Sequence, residues 1–510
     1  MINIYNPNIK PYTKSAIEAI NEGWISNHGK YIQLANDKLK LVTKTQYSIL
    51  MANGTCATHC LFLALKYKYP TIDKIYVPGN CYVAAWNAAL MVYDESSLVT
   101  MKMNYNTWNI DTNEEYIKSL EPNSAIFIVH NLGNIVNVPR LKSIRPDIIF
   151  IEDNCEGFLG KYNNIYSGMG ECTLCSSCSF YGNKIITTGE GGSFFTQDES
   201  TYNHIKLVYS QGVSDKRYLH KIHAFNYRMT NIEAAFLYDQ LNDIDNILTT
   251  KNTVFRNYNN IFEKLKQIGK LNYMTNEMNT IPAQWIYGLQ IIGNKLDNDD
   301  TISFFKTNNV DIRPFFYPIN AHYHLSNIKP ADSVSSTLNK EVIMIPSSPN
   351  MLYTDQLFVA SVIYKFLFKL QNIEVIDLDK SNHEHIYNEF LSKIKNEKFR
   401  YFDKRRSNCI SNHLKTSVLY DCNTQTFIGY SHIDEAADKL WFGIYIDPSH
   451  QSKKLGVQLL SYMLLCPSII DKDLFLTVDI DNFKAINLYK KNGFVITKTT
   501  NSYHEMKFSN

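Results

Sequence analysis

Ser179-Phe180-Tyr181-Gly182-Asn183-Lys184-Ile185-Ile186-Thr187-Thr188-Gly189-Glu190-Gly191-Gly192 is the stretch of the chain that decides the fold. It places one lysine, Lys184, in a turn-rich loop that follows an apolar strand. A lone lysine in a glycine-rich loop is usually a solvated side chain. The function of Lys184 therefore depends on the segments that surround it in the chain.

Short apolar runs alternate with helical patterns on both sides of this loop, from about 45 to 240. This rhythm predicts an α/β fold with a largely parallel sheet. Residues 242–371 predict a smaller α/β lobe that begins with a long helix over about 243–268. The clearest strands are predicted at 74–77, 124–129 and 148–151, and the clearest helices at 58–66 and 232–241.

A fresh pattern begins after a break near 370–376, which follows a predicted helix over 355–370. Its mixture of strands and helices predicts a compact mixed α/β domain over 373–510. The first domain then covers 1–371, with a large lobe over about 1–241 and a small lobe over about 242–371. In the second domain strands are predicted at 373–376, 416–420, 426–431, 440–446 and 474–478, and helices at 383–394, 455–465 and 485–491, with a polar stretch over 403–412.

The composition is that of an ordinary globular protein. Hydrophobic residues make up 45% of the 510 residues and charged residues 20%, and the net charge is +2. This balance gives no reason to expect nucleic acid or an anionic membrane as a partner. No apolar run reaches the roughly 20 residues of a membrane helix, and the N-terminus lacks a signal-peptide pattern. The ten cysteines are interpreted as reduced thiols, so we expect a cytoplasmic protein.

Four segments meet the physical needs of pyridoxal phosphate (PLP) chemistry. Lys184 can form an imine with the aldehyde. Asp153, in Ile151-Glu152-Asp153-Asn154-Cys155-Glu156-Gly157, places an acid at the end of a strand, where it can keep the pyridine nitrogen protonated. Met51-Ala52-Asn53-Gly54-Thr55-Cys56-Ala57 opens a helix, which is a ready phosphate site. Tyr82 supplies an aromatic face for the ring.

These segments, in this order, closely resemble the DegT/DnrJ/EryC1/StrS sugar aminotransferases of fold type I over about residues 5–370. The resemblance implies that Lys184 carries the cofactor and moves the proton between it and the sugar carbon. It also implies that Asp153 pairs with the pyridine nitrogen, that Glu156 lies near the ring hydroxyl, and that Tyr82 stacks on the ring. The residues implied at the cofactor phosphate are Gly54, Thr55, Cys56 and Ser179.

Two further segments of the resemblance concern a partner subunit and the substrate. Phe225-Asn226-Tyr227-Arg228-Met229-Thr230-Asn231 matches the family's N-x-R-M-T signature, whose Asn reaches the cofactor phosphate of the neighbouring subunit, so Asn226 implies a homodimer. The segments 313–318 and 345–349 look like the perosamine-synthase branch, which implies substrate contacts from Arg313 and Tyr317. The implied reaction transfers an amino group from glutamate to C4 of a nucleotide-linked 4-keto-6-deoxyhexose.

Three other features raise alternative interpretations. Some family members have His in place of the lysine and act as dehydratases, and the presence of Lys184 argues against that reaction. His130 matches a family V-H-x-x-G turn, for which a structural role is at least as plausible as a catalytic one. Cys172, Cys175 and Cys178 have metal-like spacing. They lie on the strand before the Lys184 loop, where alternation sends them to different faces, so no metal is expected.

The C-terminal segment resembles the GNAT N-acetyltransferases over about 373–508. The string from Asn482 to Phe494 matches the family's N-x-x-A-x-x-x-Y-x-x-x-G-F pattern, which implies that Asn482 contacts the pantetheine arm and Tyr489 protonates the departing thiolate. N–H groups of Leu455, Gly456 and Val457 are implied at the acetyl-CoA pyrophosphate. Lys454 departs from the pattern, since a Gly is usual there. The general base stays open among Glu435, Asp447, His450 and a water chain.

The two domains together predict a bifunctional enzyme that makes an amine on a sugar and then acetylates that amine. Two alternatives remain. The acyltransferase domain could act on a different substrate, or the chain could be a non-catalytic PLP-fold regulator, against which the intact Lys184 and Asp153 argue.

Overall fold

The computed structural model describes residues 1–216, 218–378 and 413–509, with the isolated positions 385, 386, 388, 390 and 410. The helix predicted over 383–394 and the polar stretch predicted over 403–412 therefore fall largely outside the described residues. The chain forms two compact units. Unit one comprises 1–256, 272–291 and 295–351, and unit two comprises 257–271, 292–294 and 352–510. Within the described residues, no helix is both long and apolar enough to cross a membrane.

A seven-stranded sheet forms the centre of unit one, in the order β1-β9-β8-β5-β4-β2-β3. The five strands from β8 to β3 run parallel, and β9 is antiparallel to both its neighbours. The strands are β1 (Tyr47–Met51), β2 (Ile75–Val77), β3 (Leu98–Thr100), β4 (Ala125–Val129), β5 (Ile149–Asp153), β8 (Cys175–Ser179) and β9 (Gly192–Thr196).

Helices cover this sheet, so its middle strands are buried on both faces. All five residues of β4, Ala-Ile-Phe-Ile-Val, are buried. The helices up to position 242 are α1 (Lys14–Asn21), α2 (Lys30–Thr43), α3 (Gly54–Lys68), α4 (Ala84–Leu90), α5 (Glu114–Lys118), α6 (Val138–Ile144), α7 (Glu199–Val208) and α8 (Asn231–Asn242).

Two smaller sheets complete the first three-quarters of the chain, in the orders β10-β12-β14-β13 and β11-β6-β7. Their strands are β6 (Lys161–Tyr162), β7 (Ile165–Tyr166), β10 (Leu271–Asn272), β11 (Thr280–Ile281), β12 (Tyr287–Ile291), β13 (Arg313–Pro314) and β14 (Val342–Ile345). The remaining helices of this region are α9 (Ile244–Gln267), α10 (Asn298–Thr307), α11 (Val334–Glu341) and α12 (Tyr353–Lys369).

Unit two is built on a second seven-stranded sheet, in the order β15-β16-β17-β18-β19-β21-β20. The parallel pair β18–β19 is joined near its beginning, at Leu440–Leu474 and Trp441–Phe475. Both strands continue for several residues beyond these pairs, so they diverge towards their carboxyl ends. The elements are β15 (Ile373–Asp377), β16 (His413–Asp421), β17 (Thr426–Ala436), β18 (Lys439–Ile446), β19 (Asp473–Asp479), β20 (Val495–Thr499), β21 (Tyr503–Ser509), α13 (Leu455–Met463) and α14 (Phe483–Lys491).

The predicted fold class is confirmed, and the predicted elements that lie in the described ranges are present with their ends shifted by a few residues. One placement was wrong. Cys172 precedes strand β8, whereas Cys175 and Cys178 lie on it and are buried. Thr173 and Leu174 turn the chain into the strand, with the Thr173 hydroxyl donating to the Phe150 carbonyl at 2.9 Å. The division into domains 1–371 and 373–510 stays a prediction.

Candidate active site

A cavity of about 400 Å³ opens at the carboxyl ends of the parallel strands of unit one. Asp153 ends β5, Ser179 ends β8, and both line the cavity. Such strand ends are the usual ligand sites of α/β sheets, and the volume falls in the range of small-molecule pockets. The predicted site residues that line this one cavity are Gly54, Thr55, Tyr82, Asp153, Glu156, Ser179 and Lys184.

Helix α3 begins at the wall of this cavity. The Asn53 side chain caps it by accepting a hydrogen bond from the backbone N–H of Cys56 at 2.9 Å. Gly54 is required by close approach, because a Cβ there would lie 2.7 Å from Cβ of Ser179 and 3.0 Å from Sγ of Cys155. The first backbone N–H groups of a helix have no partner within it and carry partial positive charge. This end of α3 therefore faces the cavity as an anion site.

The Asp153 carboxylate is held by two donors. The backbone N–H of Cys155 donates to Oδ1 at 2.8 Å, and the Thr58 hydroxyl donates to Oδ2 at 3.3 Å. The Thr58 hydroxyl also lies 2.9 Å from the Ser177 hydroxyl, on the neighbouring strand β8. These contacts fix the orientation of the carboxylate at the cavity wall.

Glu156 is the second acid of the cavity. Its Oε2 accepts a hydrogen bond from the backbone N–H of Leu132 at 2.8 Å. Burial raises the pKa of the Glu156 carboxyl to about 7, although the positive charge of Lys184 acts in the opposite direction. Near neutral pH this side chain is therefore present in both protonated and ionised forms, so it can either donate or accept a hydrogen bond.

The Lys184 side chain is positioned by an aromatic residue from a distant part of the sequence. Its Nζ lies 3.8 Å from the ring centroid of Trp285, within cation–π range. The Trp285 indole N–H donates to the Asn183 carbonyl at 2.8 Å, and the Lys184 backbone N–H donates to the Tyr181 carbonyl at 2.9 Å. The same tryptophan thus contacts the amine and anchors the loop that carries it.

Tyr82 lines the cavity from the loop before α4, where 60% of its surface is exposed, and its ring centroid lies 6.3 Å from that of Phe316. The remaining residues predicted for this site do not line the cavity within this chain. Cys56 lies one position further along α3, and burial raises the pKa of its thiol to about 11. The others are Asn226, which accepts from Arg228 Nε at 2.9 Å; Arg313, paired with Asp311; and Tyr317, whose hydroxyl accepts from Asn298 at 3.2 Å.

His130 lies below the cavity in a buried polar chain. The backbone N–H of Val136 donates to Nδ1 at 3.1 Å, which assigns the proton to Nε2, and Nε2 lies 3.0 Å from Glu152. The Tyr162 hydroxyl donates to the other oxygen of Glu152 at 3.1 Å. The imidazole is fully buried and absent from the cavity lining, which favours the structural role for His130. Nowhere in the described ranges do three or more His, Cys, Asp or Glu side chains form a group that could hold a metal ion.

The second candidate site lies in unit two, where β18 leads into helix α13. Lys454 precedes the helix with a φ of +64°, in the left-handed region that favours glycine, and its Nζ donates to the Ile268 carbonyl at 2.6 Å. The glycine usual at this position is thus explained by backbone conformation, which the lysine adopts. Leu455, Gly456 and Val457 form the first turn of α13.

Asn482 and Tyr489 lie on the neighbouring helix α14. The Asn482 side chain caps this helix by accepting from the Ala485 N–H at 3.2 Å. Tyr489 is buried against Phe494, with ring centroids 5.7 Å apart, and burial raises the pKa of its phenol well above the usual value. A phenol in this state keeps its proton at neutral pH and can give it only to a stronger base.

The three side chains predicted as possible general bases have different surroundings. Glu435 lies at the exposed end of β17. Asp447 accepts from the Ser449 N–H at 2.9 Å and caps a short turn. His450 lies 3.3 Å from Asp421 through Nε2. The choice of base stays open between these residues and a water chain.

Comparison with known proteins decides the family. Residues 9–364 match the DegT/DnrJ/EryC1/StrS aminotransferase family. The chain belongs to this family. Residues 415–496 match the acetyltransferase (GNAT) domain, so the chain also carries a GNAT domain.

Individual relatives of this DegT/DnrJ/EryC1/StrS aminotransferase cover the same region. GDP-perosamine synthase from Escherichia coli O157:H7 is 27% identical over 370 residues, which are 72% of this chain and 98% of that protein. GDP-perosamine synthase from Vibrio cholerae is 28% identical over 362 residues, 69% of this chain and 95% of that protein. The structure of Escherichia coli GDP-4-keto-6-deoxy-D-mannose-3-dehydratase with bound hydrated PLP shares the fold, with a TM-score of 0.61 and 18% identity, covering 71% of this chain and 98% of that one.

The cavity of the aminotransferase fits PLP by its donor set. It combines an amine at Lys184, a carboxylate held at Asp153, and the start of α3, where Gly54 lets the backbone approach Ser179 closely. These groups match the aldehyde, the pyridine nitrogen and the phosphate of the cofactor.

Several residues of the aminotransferase cavity were missed by the sequence analysis. Thr58 follows Thr55 by one helical turn, so helical spacing from the predicted phosphate site could have found it. Trp285 lies about one hundred positions from Lys184, and no local pattern links the two. The other lining residues not predicted for the site include Cys155, Tyr181, Asn183 and Glu190.

Proposed function

We propose that this chain is a bifunctional nucleotide-sugar enzyme. Its first domain transfers the amino group of glutamate to a nucleotide-linked 4-keto-6-deoxyhexose with PLP as cofactor, and its second domain acetylates the new amine with acetyl-CoA. The observation that carries the proposal is the convergence of the Lys184 amine, the Asp153 carboxylate and the start of α3 on one cavity.

Bound PLP would supply an electron sink for the carbon that gains or loses the amino group. Lys184 would hold the cofactor through its amine, and the same amine would take and return the proton at that carbon. Asp153 would pair with the pyridine nitrogen, and its two hydrogen-bond donors hold the carboxylate in a fixed orientation at the cavity wall. Glu156, with a pKa of about 7, would form a hydrogen bond with the ring hydroxyl in either protonation state.

The cofactor phosphate is assigned to the start of α3. The N–H groups of Gly54 and Thr55 and the hydroxyls of Thr55 and Ser179 would form the donor set, and the helix dipole favours a dianion there. The Cys56 N–H is already engaged by the Asn53 side chain. Tyr82, exposed at the cavity wall, would cover one face of the ring. Trp285 contacts the Lys184 side chain and keeps the amine in the cavity.

The substrate is assigned from the relatives and from the branch-specific segments. Two relatives covered almost completely by this chain are named GDP-perosamine synthase, which supports a nucleotide-linked deoxysugar substrate. Arg313 and Tyr317 are exposed near the small lobe, where they can contact the nucleotide part of a long substrate. Asn226 would complete the phosphate site of the neighbouring subunit in a homodimer.

The acetylation is assigned to the GNAT domain of unit two. The first turn of α13, from Leu455 to Val457, would hold the pyrophosphate of acetyl-CoA, and the divergence of β18 and β19 gives room for the pantetheine arm beside Asn482. Tyr489 is the candidate partner of the departing thiolate. Because burial raises the pKa of its phenol above that of a thiol, it would stabilise the sulfur by donating a hydrogen bond and would keep its own proton. A different amine remains the alternative acceptor for this domain.

Mass spectrometry tests both reactions. The purified chain is incubated with PLP, glutamate, acetyl-CoA and a panel of nucleotide-linked 4-keto-6-deoxysugars. We expect a product in which one keto group is replaced by an N-acetylated amine. An amine that forms but is never acetylated, with any member of the panel, would refute the shared substrate and leave the alternative acceptor.

The variant Lys184→Ala distinguishes the proposed enzyme from the alternative, a non-catalytic PLP-fold regulator. The variant should lose the visible absorbance of the bound cofactor and all sugar amination, while acetylation of a chemically prepared amino sugar persists. Unchanged amination in this variant would show that the lysine is not the cofactor-binding group.

A further inference from the structure

A second lysine is buried beside the Lys184 loop. Lys251, on helix α9, is 3% exposed. Its ammonium donates to the Ser347 carbonyl and lies 5.2 Å from the centroid of the Phe255 ring. Within the described ranges of the chain it forms no ion pair with a carboxylate. Burial lowers the pKa of this amine to about 7. A lysine ammonium has three hydrogen-bond donors, and burying it without an opposite charge costs folding free energy. A buried lysine next to a reactive site therefore indicates a function.

Lys251 and Lys184 line the same small cavity. Its volume is about 20 Å³, enough for one water-sized group. The wall also includes Trp285, Asn6 and Ser348. Lys184, Asn183 and Trp285 also line the 400 Å³ cofactor cavity, so the two cavities are adjacent. A group that enters the small cavity therefore lies next to the reacting centre.

The charges around Lys184 are otherwise negative. The cofactor cavity is lined by Asp153, Glu156 and Glu190, and a third cavity of about 190 Å³ that also contacts Lys184 is lined by Asp243. Among the residues that line these three cavities, the cations are Lys184 and Lys251. Lys184 is engaged with the cofactor in the resting enzyme, which leaves Lys251 as the cation for an incoming anion.

We propose that Lys251 forms the subsite for the α-carboxylate of the amino donor. The inference rests on the proposed transamination, in which donor and sugar react in turn at the same place. The amino donor has a carboxylate on the very carbon that carries its amino group, so this charge must lie beside Lys184. The nucleotide sugar has its phosphates on the opposite side of the ring from the keto group. The size of the small cavity fits a carboxylate oxygen and excludes a sugar ring.

Single-turnover spectroscopy of the holoenzyme tests this subsite, because the two half-reactions can be followed separately. Lys251→Met removes the charge and keeps the volume, and Lys251→Arg keeps the charge. We expect Lys251→Met to raise the apparent Kd for glutamate by roughly tenfold to a hundredfold, the effect of one charged hydrogen bond. The apparent Kd for the nucleotide sugar should change by less than about threefold, and Lys251→Arg should resemble the wild type.

Equal weakening of both half-reactions, or no change in either, would overturn the subsite and reduce Lys251 to a structural support of the Ser347 carbonyl. Arg228→Met is the control for a competing cation, since the N-x-R-M-T segment belongs to the predicted dimer contact. A selective loss of glutamate affinity in Arg228→Met but not in Lys251→Met would also reject the proposal. If the wild-type protein mixed with PLP shows no absorbance band of a bound cofactor, the proposed function itself is rejected.

Calorimetry with glutarate provides a measurement on the unaltered protein. Glutarate has carboxylates and no amine, so it probes binding without turnover. If it binds at an amine whose pKa is about 7, the complex takes up protons near neutral pH, detected as a dependence of the heat on buffer ionisation. Glu156, whose pKa is about 7, lines the neighbouring cofactor cavity and can also take up protons, so Lys251→Arg serves as the control. Proton uptake that persists unchanged in Lys251→Arg would contradict the assignment.

Discussion

Glu156 is the residue of the cofactor cavity whose titration is expected to affect folding most directly. Its pKa is about 7 in the folded chain and 4.5 at its ordinary value. Between these values the folded state binds a proton that the unfolded state has released, so this contribution to stability falls as pH rises through the window. We expect Glu156→Gln to reduce the loss of stability of the cofactor-free protein between pH 4.5 and pH 7 by about 2 kcal/mol. Urea unfolding at several pH values measures the free energy of unfolding of both proteins. If the two proteins show the same dependence of this free energy on pH, the prediction is wrong.

Gly54 allows a matched pair of substitutions. A Cβ at this position would overlap Cβ of Ser179, whereas a Cβ at Gly182, in the loop of Lys184, meets nothing within 4 Å. We expect Gly54→Ala to destabilise the protein by about 1–3 kcal/mol and to weaken cofactor binding, because α3 must shift away from β8. Gly182→Ala should change both quantities little. Denaturant unfolding and cofactor titration compare the two, and similar effects would show that the close approach is not required.

At the scale of single residues, the sequence identifies side chains with a distinctive local setting and misses those that depend on distant contacts. Lys184, Asp153 and Thr55 stand at strand ends, loops or helix starts that a pattern predicts, and the cavity contains all three. Trp285 and Lys251 reach the same loop from segments far along the chain. Their contacts arise from tertiary packing, for which hydrophobic periodicity gives no signal.

At the scale of elements, the predicted strands are shorter than the real ones where polar residues continue them. Strand β5 was predicted to end at Ile151, yet it runs to Asp153 through the buried Glu152. Glu152 is accepted in the sheet because His130 and Tyr162 satisfy its oxygens. Strand β17 likewise continues past Ser431 through the buried His432 and Asp434. Buried polar residues with tertiary partners look like strand ends in a sequence.

Helix α12 offers a prediction at this scale. Tyr364 on this helix is 1% exposed, and its ring centroid lies 6.3 Å from that of Tyr462 on α13, within unit two. Phe358 on the same helix is 43% exposed. We expect Tyr364→Ala to lower the free energy of unfolding by about 3–5 kcal/mol, the usual cost of removing a buried aromatic ring. Phe358→Ala should cost less than about 1 kcal/mol. Guanidinium unfolding followed by circular dichroism distinguishes them, and equal effects would contradict the packing.

At the scale of the whole molecule, Asn226 predicts an assembly. It does not line the cavity of its own chain, and its predicted place is the site of the neighbouring subunit. Lys184→Ala and Asn226→Ala chains should each be poorly active as homodimers. After mixing and subunit exchange, half of the dimers are mixed and one of their two sites is intact, so activity should return to about one quarter of wild type. If mass spectrometry shows that subunits have exchanged but activity does not recover, Asn226 does not act in the site of the neighbouring subunit.

The overall architecture was the part best predicted from the sequence, because two long series of motifs each matched one fold. The alternation of apolar runs and helical patterns predicted the α/β class, and the resemblance of the motifs to two families predicted the aminotransferase and the GNAT domain. The exact extent of the compact units was not predictable in this way. Helix α12 continues the aminotransferase pattern in sequence, but its buried face packs within unit two.

This membership of α12 has a practical consequence for protein engineers. A chimera could join the acetyltransferase to another aminotransferase after residue 371. The transferred segment would then lack helix α12, and Tyr462 would lose its contact with Tyr364. A donor cassette should therefore begin upstream of Tyr353, so that the recombined polypeptide inherits both halves of that aromatic contact.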